Sequence, residues 1–513
     1  MRFEFSLENS LPPLAWCAHV CQDRVLVRHG LAVETCEVGF FAGAWNGEFG
    51  GLDPTNSHTT IGTSCVLKNG RPLFVTPTSQ TDGIYSSRRR NTLYLSNSAV
   101  FLLCTVGDEP ESRYPDYYFD FLKSLRNGRR QTDTYLPSSS GSGFIFHQWE
   151  NLLIRPDLKI QVVRKPDPPP PNDFDSYKNL LLDTMAAVMA NANSYERRHR
   201  YRPLASLSGG YDCNTVASLA SRLGCTEGLT FFQETEGVRV DSGLEVARHL
   251  GIDCREYDAR AYKNLPGTPE AEFSATAVKP TCVSMLAASE QLTGSLHFTG
   301  RPGYEQWAFP DGLSDFHDLV VPSAGNNGEI GLTEFRLRKQ FLHFPVPYIG
   351  ATHQRALQRI SVSPEMRRWW GEGSYRAPIA RRILIESGVP ENLFGCKKFA
   401  SLAAQKLTEN SHRSFEEFYR NQPVPPWFRS EPRIHPSDLT DLFGSLIFQL
   451  SLTRSPTGTR PFYNLLAPWC LRFKRSSARI FDRPSSYFKW SWRYLYLYHW
   501  GFNQIRHRYR AAM

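Results

Sequence analysis

The 513-residue sequence has no run of about 18 consecutive apolar residues, so no transmembrane helix is expected. Its start, MRFEFSLENSLPPLAW, lacks a basic stretch followed by an apolar one, so export is not expected either. Cysteine is sparse and unordered. Eleven are scattered from Cys17 to Cys470, an odd number without the spacing of a disulfide framework. That pattern fits reduced thiols and a cytoplasmic location. Cys17 and Cys21 stand four apart, but no second Cys/His pair lies near enough to complete a zinc site. Charge of one sign is also scarce: a net charge of +9 is modest for this length and suits anionic partners in general without choosing one. There is no internal repeat. What remains, at 41% hydrophobic and 21% charged residues, is the composition of a soluble globular protein. Its length calls for two or three domains.

Three regions follow one another. Residues 1 to about 165 hold short apolar segments punctuated by turns, such as Cys65-Val66-Leu67 before Asn69-Gly70 and Thr92-Leu93-Tyr94-Leu95 before Asn97. An Asn-Gly pair between apolar runs marks a hairpin, and the region reads as mainly β. Residues 166–173, PDPPPPND, form a stiff extended spacer and a natural boundary. From residue 174 to about 410, helices alternate with buried strands. Leu180–Met189 is predicted as a helix, Gly228–Phe232 as a strand, and Asp241–Leu250 as a helix capped by Gly251. Such alternation implies a parallel sheet flanked by helices. Residues 411–513 are rich in Trp, Tyr, Phe and Arg and read as mostly helical.

The most informative segment is Leu204–Leu223, LASLSGGYDCNTVASLASRL. Val216, Leu219, Ala220 and Leu223 fall on one face of a helix, so Ser208-Gly209-Gly210 lies where a strand hands over to a helix N-terminus. Unpaired amides and the positive end of the helix dipole converge there, which favours anions. Glycine pairs let the backbone approach a phosphate closely. Asp212 is placed to hold a magnesium ion against the same phosphates. With no Gly-Lys-Ser/Thr, the loop is not the P-loop of enzymes that split off a γ-phosphate.

The residues Ser208, Gly209, Gly210 and Asp212 resemble the SGGxDS pyrophosphate loop of the asparagine synthetase-like family, within the PP-loop ATP pyrophosphatases. Cys213 stands where that motif has its second Ser, and a thiol is the weaker donor. The resemblance implies an α/β fold: a parallel sheet with flanking helices, adenine nucleotide alpha hydrolase-like, preceded by a β-rich Ntn-like domain and followed by a helical C-terminal region. It implies ATP and Mg²⁺ as cofactors, adenylation of a carboxylate, and amide formation with an amine, the substrate being a small molecule or peptide. Trp45-Asn46-Gly47-Glu48-Phe49 and Leu93–Ser98 look like weakened pieces of the family's glutaminase domain. A working glutaminase needs cysteine at position 2, and here that residue is Arg2.

Other family segments are matched with departures. Val240–Ala247 resembles the helix after the second strand; the same pattern is also that of an amphipathic core helix. Phe231 and Phe232 lie where the family holds adenine, or are core residues. Thr299–Glu305 aligns with the second acidic loop, SGxGxDE, but Tyr304 occupies the position of its metal-binding Asp. Glu305, next along, is the substitute metal ligand beside Asp212; without it Mg²⁺ would rest on Asp212, ATP oxygens and water. Glu334, in Gly331–Leu337, is matched to the polar partner of the substrate amine, or else forms a Glu–Arg pair on a helix surface. Lys397 and Lys398 stand where the family has a lysine that steadies pyrophosphate. Two rival readings stay open: an ATP- or substrate-binding pseudoenzyme, and a PP-loop enzyme of nucleic-acid modification whose tail, Tyr487–Arg510, stacks on bases. The same tail also reads as a packed C-terminal helix with its basic end in water, the favoured reading, or as a segment lying on a membrane surface.

Overall fold

A computed structural model describes residues 1–114, 116–278, 282–309, 318, 329–371, 375–396, 407–420 and 486–510, with the backbone alone at 119, 126, 235 and 486–493. The first region forms strands β1 (Arg2–Leu7), β2 (Trp16–Val20), β3 (Arg24–His29), β4 (Glu34–Cys36), β5 (Gly39–Trp45), β6 (Thr60–Lys68), β7 (Arg71–Val75), β8 (Ile84–Arg89) and β9 (Thr92–Ser96). Helices α1 (Ala99–Val106) and α2 (Tyr117–Asn127) follow, then β10 (Asp133–Leu136), β11 (Phe144–His147), β12 (Asn151–Ile154) and β13 (Ile160–Val163). The predicted hairpin joins β6 to β7, with Asn69 and Gly70 both at positive φ (52° and 72°), as a two-residue turn matched to strand twist requires.

These strands make two sheets, ordered β1-β3-β2-β9-β8-β11-β10 and β13-β12-β7-β6-β5-β4. Trp16 on β2 ties them together. Its ring lies 4.9 Å from Phe40 of β5 and 5.8 Å from Phe74 of β7, and its Nε1 donates to Thr63 Oγ1 of β6 at 2.8 Å. Alternate inward side chains from both sheets therefore form one sandwich core.

The second region is built from α3 (Phe174–Ala192), β14 (Arg202–Leu207), α4 (Asp212–Arg222), β15 (Glu227–Thr235), β16 (Val238–Val240), α5 (Leu244–Leu250) and β17 (Asp253–Asp258). It continues with α6 (Ala271–Ser274), α7 (Ser289–Leu292), β18 (Ser295–Thr299), α8 (Gly303–Trp307), α9 (Thr333–Lys339), β19 (Leu342–Pro345), α10 (Gln354–Val362) and α11 (Pro378–Glu386). Five strands are parallel, in the order β17-β15-β14-β18-β19, with β16 folded back antiparallel on β15. The chain starts in the middle at β14, winds outward through β15 and β17, then restarts on the other side at β18. The order thus reverses between β14 and β18, and in open α/β sheets such a reversal opens a crevice at the strands' carboxyl ends.

Two predicted helices have shifted boundaries. The helix after β14 begins at Asp212 as expected, and α3 is longer than predicted at both ends. The helix predicted from Asp241 begins only at Leu244. Asp241 has φ 69°, and a Cβ on Gly243 would meet Ser208 N at 2.6 Å, so these residues run as a loop pressed against the end of β14.

The two regions are stitched together at three places. Buried Arg197, between α3 and β14, binds Glu34 at 3.0 Å and Gly43 O at 2.8 Å, and lies 4.1 Å over the Phe49 ring. Arg336 of α9 pairs with Asp82, both side chains about 3% exposed. The C-terminal helix Ser486–Ile505 lies across both regions: Tyr498 packs on Tyr117 of α2 at 5.2 Å, and Gly501 meets α6 so closely that a Cβ there would be 2.7 Å from Ala271 O. Tyr496, Tyr498, Trp500, Phe502 and Tyr509 are all buried. No helix among the described residues is long and apolar enough to cross a membrane.

Candidate functional site

The strand–turn–helix read from the sequence is present. β14 ends at Leu207, Ser208–Tyr211 turn, and α4 starts at Asp212 with no side chain capping it. Asn214, fully buried, organises the turn. Its Oδ1 accepts from Ser208 N at 3.1 Å, and its Nδ2 donates to the carbonyls of Ser208 (2.6 Å) and Gly210 (2.7 Å). Those carbonyls are thereby turned toward the helix. Ser208 Oγ accepts from Gly210 N at 3.2 Å. Two more segments clamp Gly209: its N–H donates to Asp241 O and Oδ1 at 3.1 and 3.2 Å, and its carbonyl accepts from Cys396 N at 2.9 Å. The segment matched to a family helix thus meets the turn through the loop that precedes that helix.

The loop after β18 closes on the same helix end. A Cβ on Gly300 would lie 2.2 Å from the Asp212 carbonyl carbon, and one on Gly303 would lie 2.9 Å from Asp212 Oδ1. Only glycine permits this approach. Asp212, 6% exposed, thus stands between the two loops that flank the β14–β18 reversal. Glu305 lies one residue into α8 beyond Tyr304 and is 8% exposed, with Arg301 and Tyr348 as charged and polar neighbours. Tyr304 is 38% exposed and its ring packs 5.7 Å from Tyr375.

Behind these loops lies a buried polar network that the sequence reading missed. Ser206 Oγ and His297 Nε2 meet at 2.7 Å across β14 and β18, and the His297 ring stacks on His343 at 5.9 Å. His343 Nε2 bonds Thr299 Oγ1 at 2.8 Å and Glu329 at 3.1 Å, and Glu329 faces Arg301 at 3.9 Å. Burial works to raise the Glu329 carboxyl, but the charges of His343 and Arg301 outweigh it and hold it down at about 2. Burial, together with His343, pushes His297 down to about 3. A sequence signal existed only in part: Arg301 stood inside the aligned loop, but nothing in spacing joined it to residues 329 and 343.

The remaining expected residues fall elsewhere. Glu334 is 1% exposed, so it is no surface pair. It accepts from Ser98 Oγ at 2.7 Å and from Tyr509 OH at 2.5 Å, between the first region and the turn of helix (His507–Arg510) that follows the C-terminal helix. Burial raises its carboxyl above the ordinary range against those two bonds. Lys397 and Lys398 lie outside the described residues. Phe231 packs on a core cluster with Tyr257 at 6.0 Å, and Arg239 covers the Phe232 ring at 4.4 Å. The ten cysteines among the described residues are free thiols, and no group of three or more His, Cys, Asp or Glu among those residues is arranged to hold a metal ion.

Comparison with models of known protein families gives no match, and comparison with curated proteins gives none either.

Proposed function

We propose that this chain is an ATP-dependent, AMP-forming carbon–nitrogen ligase of the asparagine synthetase-like kind, lacking a glutaminase of its own. It activates a substrate carboxylate, releases pyrophosphate and passes the acyl group to an amine. The observation that carries this reading is the position of Asp212: it stands at a helix N-terminus inside the strand-order reversal, with Gly300 and Gly303 pressed against it. The site fits a nucleotide's phosphates. The N-terminal end of α4 offers a dipole that favours an anion, while the N–H groups of Ser208, Gly209 and Gly210 are engaged by Asn214, Asp241 and Ser208 Oγ and Asn214 holds the Ser208 and Gly210 carbonyls.

In this reading Ser208, Gly209, Gly210 and Cys213 cradle the phosphates, and Asp212 with Glu305 holds Mg²⁺. Mg·ATP supplies an electrophilic α-phosphorus and a stable leaving group. The chain contributes orientation: α4 fixes the phosphate end, and the loop after β18 aims the carboxylate at it, so proximity accounts for much of the rate. Lys397 and Lys398 directly follow Cys396, the residue bonded to Gly209, and would offset charge on departing pyrophosphate.

Calorimetry of ATP binding tests the site, on the parent and on Asp212→Ala, with and without Mg²⁺. Binding that requires Mg²⁺ and weakens at least about tenfold in the variant is expected, on the scale of a lost charge-assisted contact. Binding indifferent to both would overturn the assignment. Tyr304, in place of a second acidic ligand, favours one alternative: nucleotide binding without turnover. Mg·ATP binding with no pyrophosphate release across a panel of amine-bearing carboxylates would establish it. A nucleic-acid role for the tail loses its support, because the described rings of that helix are packed inside the protein.

A further inference from the structure

Arg301 leaves the chain at a fixed point beside the proposed metal ligand. β18 ends at Thr299, and the glycines flanking Arg301 and Pro302 are pressed on Asp212: a Cβ on Gly300 would lie 2.2 Å from its carbonyl carbon, and one on Gly303 2.9 Å from its Oδ1. The side chain of Arg301 is 33% exposed, and its Nε stands 3.9 Å from Glu329 Oε1, a charge contact too long for a hydrogen bond. Among the described residues nothing accepts a hydrogen bond from this guanidinium, so its two terminal nitrogens keep their donors open. Glu329 is held from within. Its other oxygen lies 3.1 Å from His343 Nε2, which meets Thr299 Oγ1 at 2.8 Å, and its backbone is fixed at φ 65°. The Glu329 side chain is only 9% exposed, so the pair presents its cation outward.

We propose that Arg301 is the receptor for the carboxylate of the acid substrate, its terminal nitrogens taking the two carboxylate oxygens as a fork. What the carboxylate then does, attack on a bound nucleotide, rests on the ligase reading above. Two features select a carboxylate as the occupant. A guanidinium with open terminal donors matches a planar two-oxygen anion through two parallel N–H···O bonds, which a lysine in its place could not do. Glu329 already offsets part of the Arg301 charge, and what is left suits a single negative charge. A polyphosphate brings several and meets like-charge repulsion from Glu329. The phosphates therefore belong at the α4 end of the crevice and the acid at the β18 end, with Gly300 and Gly303 fixing the distance between the two.

Arginine-selective modification of the full chain by phenylglyoxal, read peptide by peptide in a mass spectrometer, tests the assignment. Arg301 is expected to react, and about 100 mM propionate to slow it at least about fivefold relative to chloride at equal ionic strength, by mass action. Propionamide, which has the same shape without the charge, is expected to leave the rate unchanged. Arg367 and Arg368, exposed on the Pro364–Trp369 turn, serve as internal controls that no addition slows. An Arg301 that does not react while Arg367 does, or one slowed equally by propionate and propionamide, or by neither, overturns the proposal. Protection by the uncleavable nucleotide α,β-methylene-ATP with Mg²⁺, but not by propionate, overturns it in favour of a nucleotide phosphate at Arg301. The two readings fail separately. Propionate protection without nucleotide binding in calorimetry overturns the nucleotide site and leaves the receptor standing; nucleotide binding without propionate protection does the reverse.

Discussion

Asn214 shows how much one side chain decides at this site. Three backbone groups of the turn depend on its amide, yet in the sequence it is only a polar residue in the first turn of a helix. Asp212 was legible because a carboxylate after a glycine pair has few other uses; Asn214 was not, because its partners are set by how the turn closes. His297 offers a second measurement at this scale. Its ordinary value of 6.5 falls to about 3 in the fold, so the unfolded chain takes up a proton below 6.5 that the folded one refuses. Its contribution to stability is therefore full above 6.5 and is lost as pH falls toward 3. Urea unfolding at a series of pH values is expected to show that His297→Gln takes up close to one proton fewer on unfolding near pH 5. An unchanged slope would mean that His297 is protonated in the folded protein.

Among elements, the contact of the β18–α8 loop with the α4 N-terminus is where the two acidic-loop segments become one site. It makes unequal demands on its glycines. A Cβ on Gly209 would meet Asp241 at 3.4–3.5 Å, an ordinary contact, whereas one on Gly300 would overlap the backbone of Asp212 and Cys213. Gly300→Ala is expected to cost about 1–3 kcal/mol in stability, as overpacking does, and to lose nucleotide binding with it. Gly209→Ala is expected to keep its stability, because its methyl group would meet Asp241 and Cys396 only at ordinary contact distances. Thermal unfolding paired with calorimetry reads both, and a destabilised Gly209→Ala beside a tolerated Gly300→Ala would refute the packing argument. The sequence marked both segments as loops of one family pattern. The late start of α5 escaped it, since the residues Asp241–Gly243 read as helical until β14 is placed against them.

Across the molecule, the C-terminal segment is packed as its sequence favoured. Its Trp and Tyr content also suited a nucleic-acid or membrane surface, but Tyr498, Trp500, Phe502 and Tyr509 are buried, as a packed helix requires. Arg506 and Arg508 reach Glu109 and Glu272, one in each region. Removing residues 486–513 takes these four rings out of the core, uncovers the side chains they pack on, and strips Glu334 of Tyr509 OH. At roughly 1.5–3 kcal/mol for each large side chain, a loss of more than about 5 kcal/mol is expected, seen as a lower urea midpoint. An unchanged midpoint would show that the helix adds nothing to the shared core.

The sequence by itself determined what short-range patterns encode. It set the β-rich first region, the Asn69-Gly70 hairpin, the alternation that builds a parallel sheet, and the glycine turn ahead of α4. Each of these depends on neighbours within a turn or two, where propensity and periodicity act directly. Only the tertiary structure decided which loops meet. Gly300 against Asp212, Glu329 with His343 and Arg301, and Glu334 between Ser98 and Tyr509 join residues tens to hundreds of positions apart. Such contacts follow from strand order and from how two cores share one interface, and no local pattern carries that information.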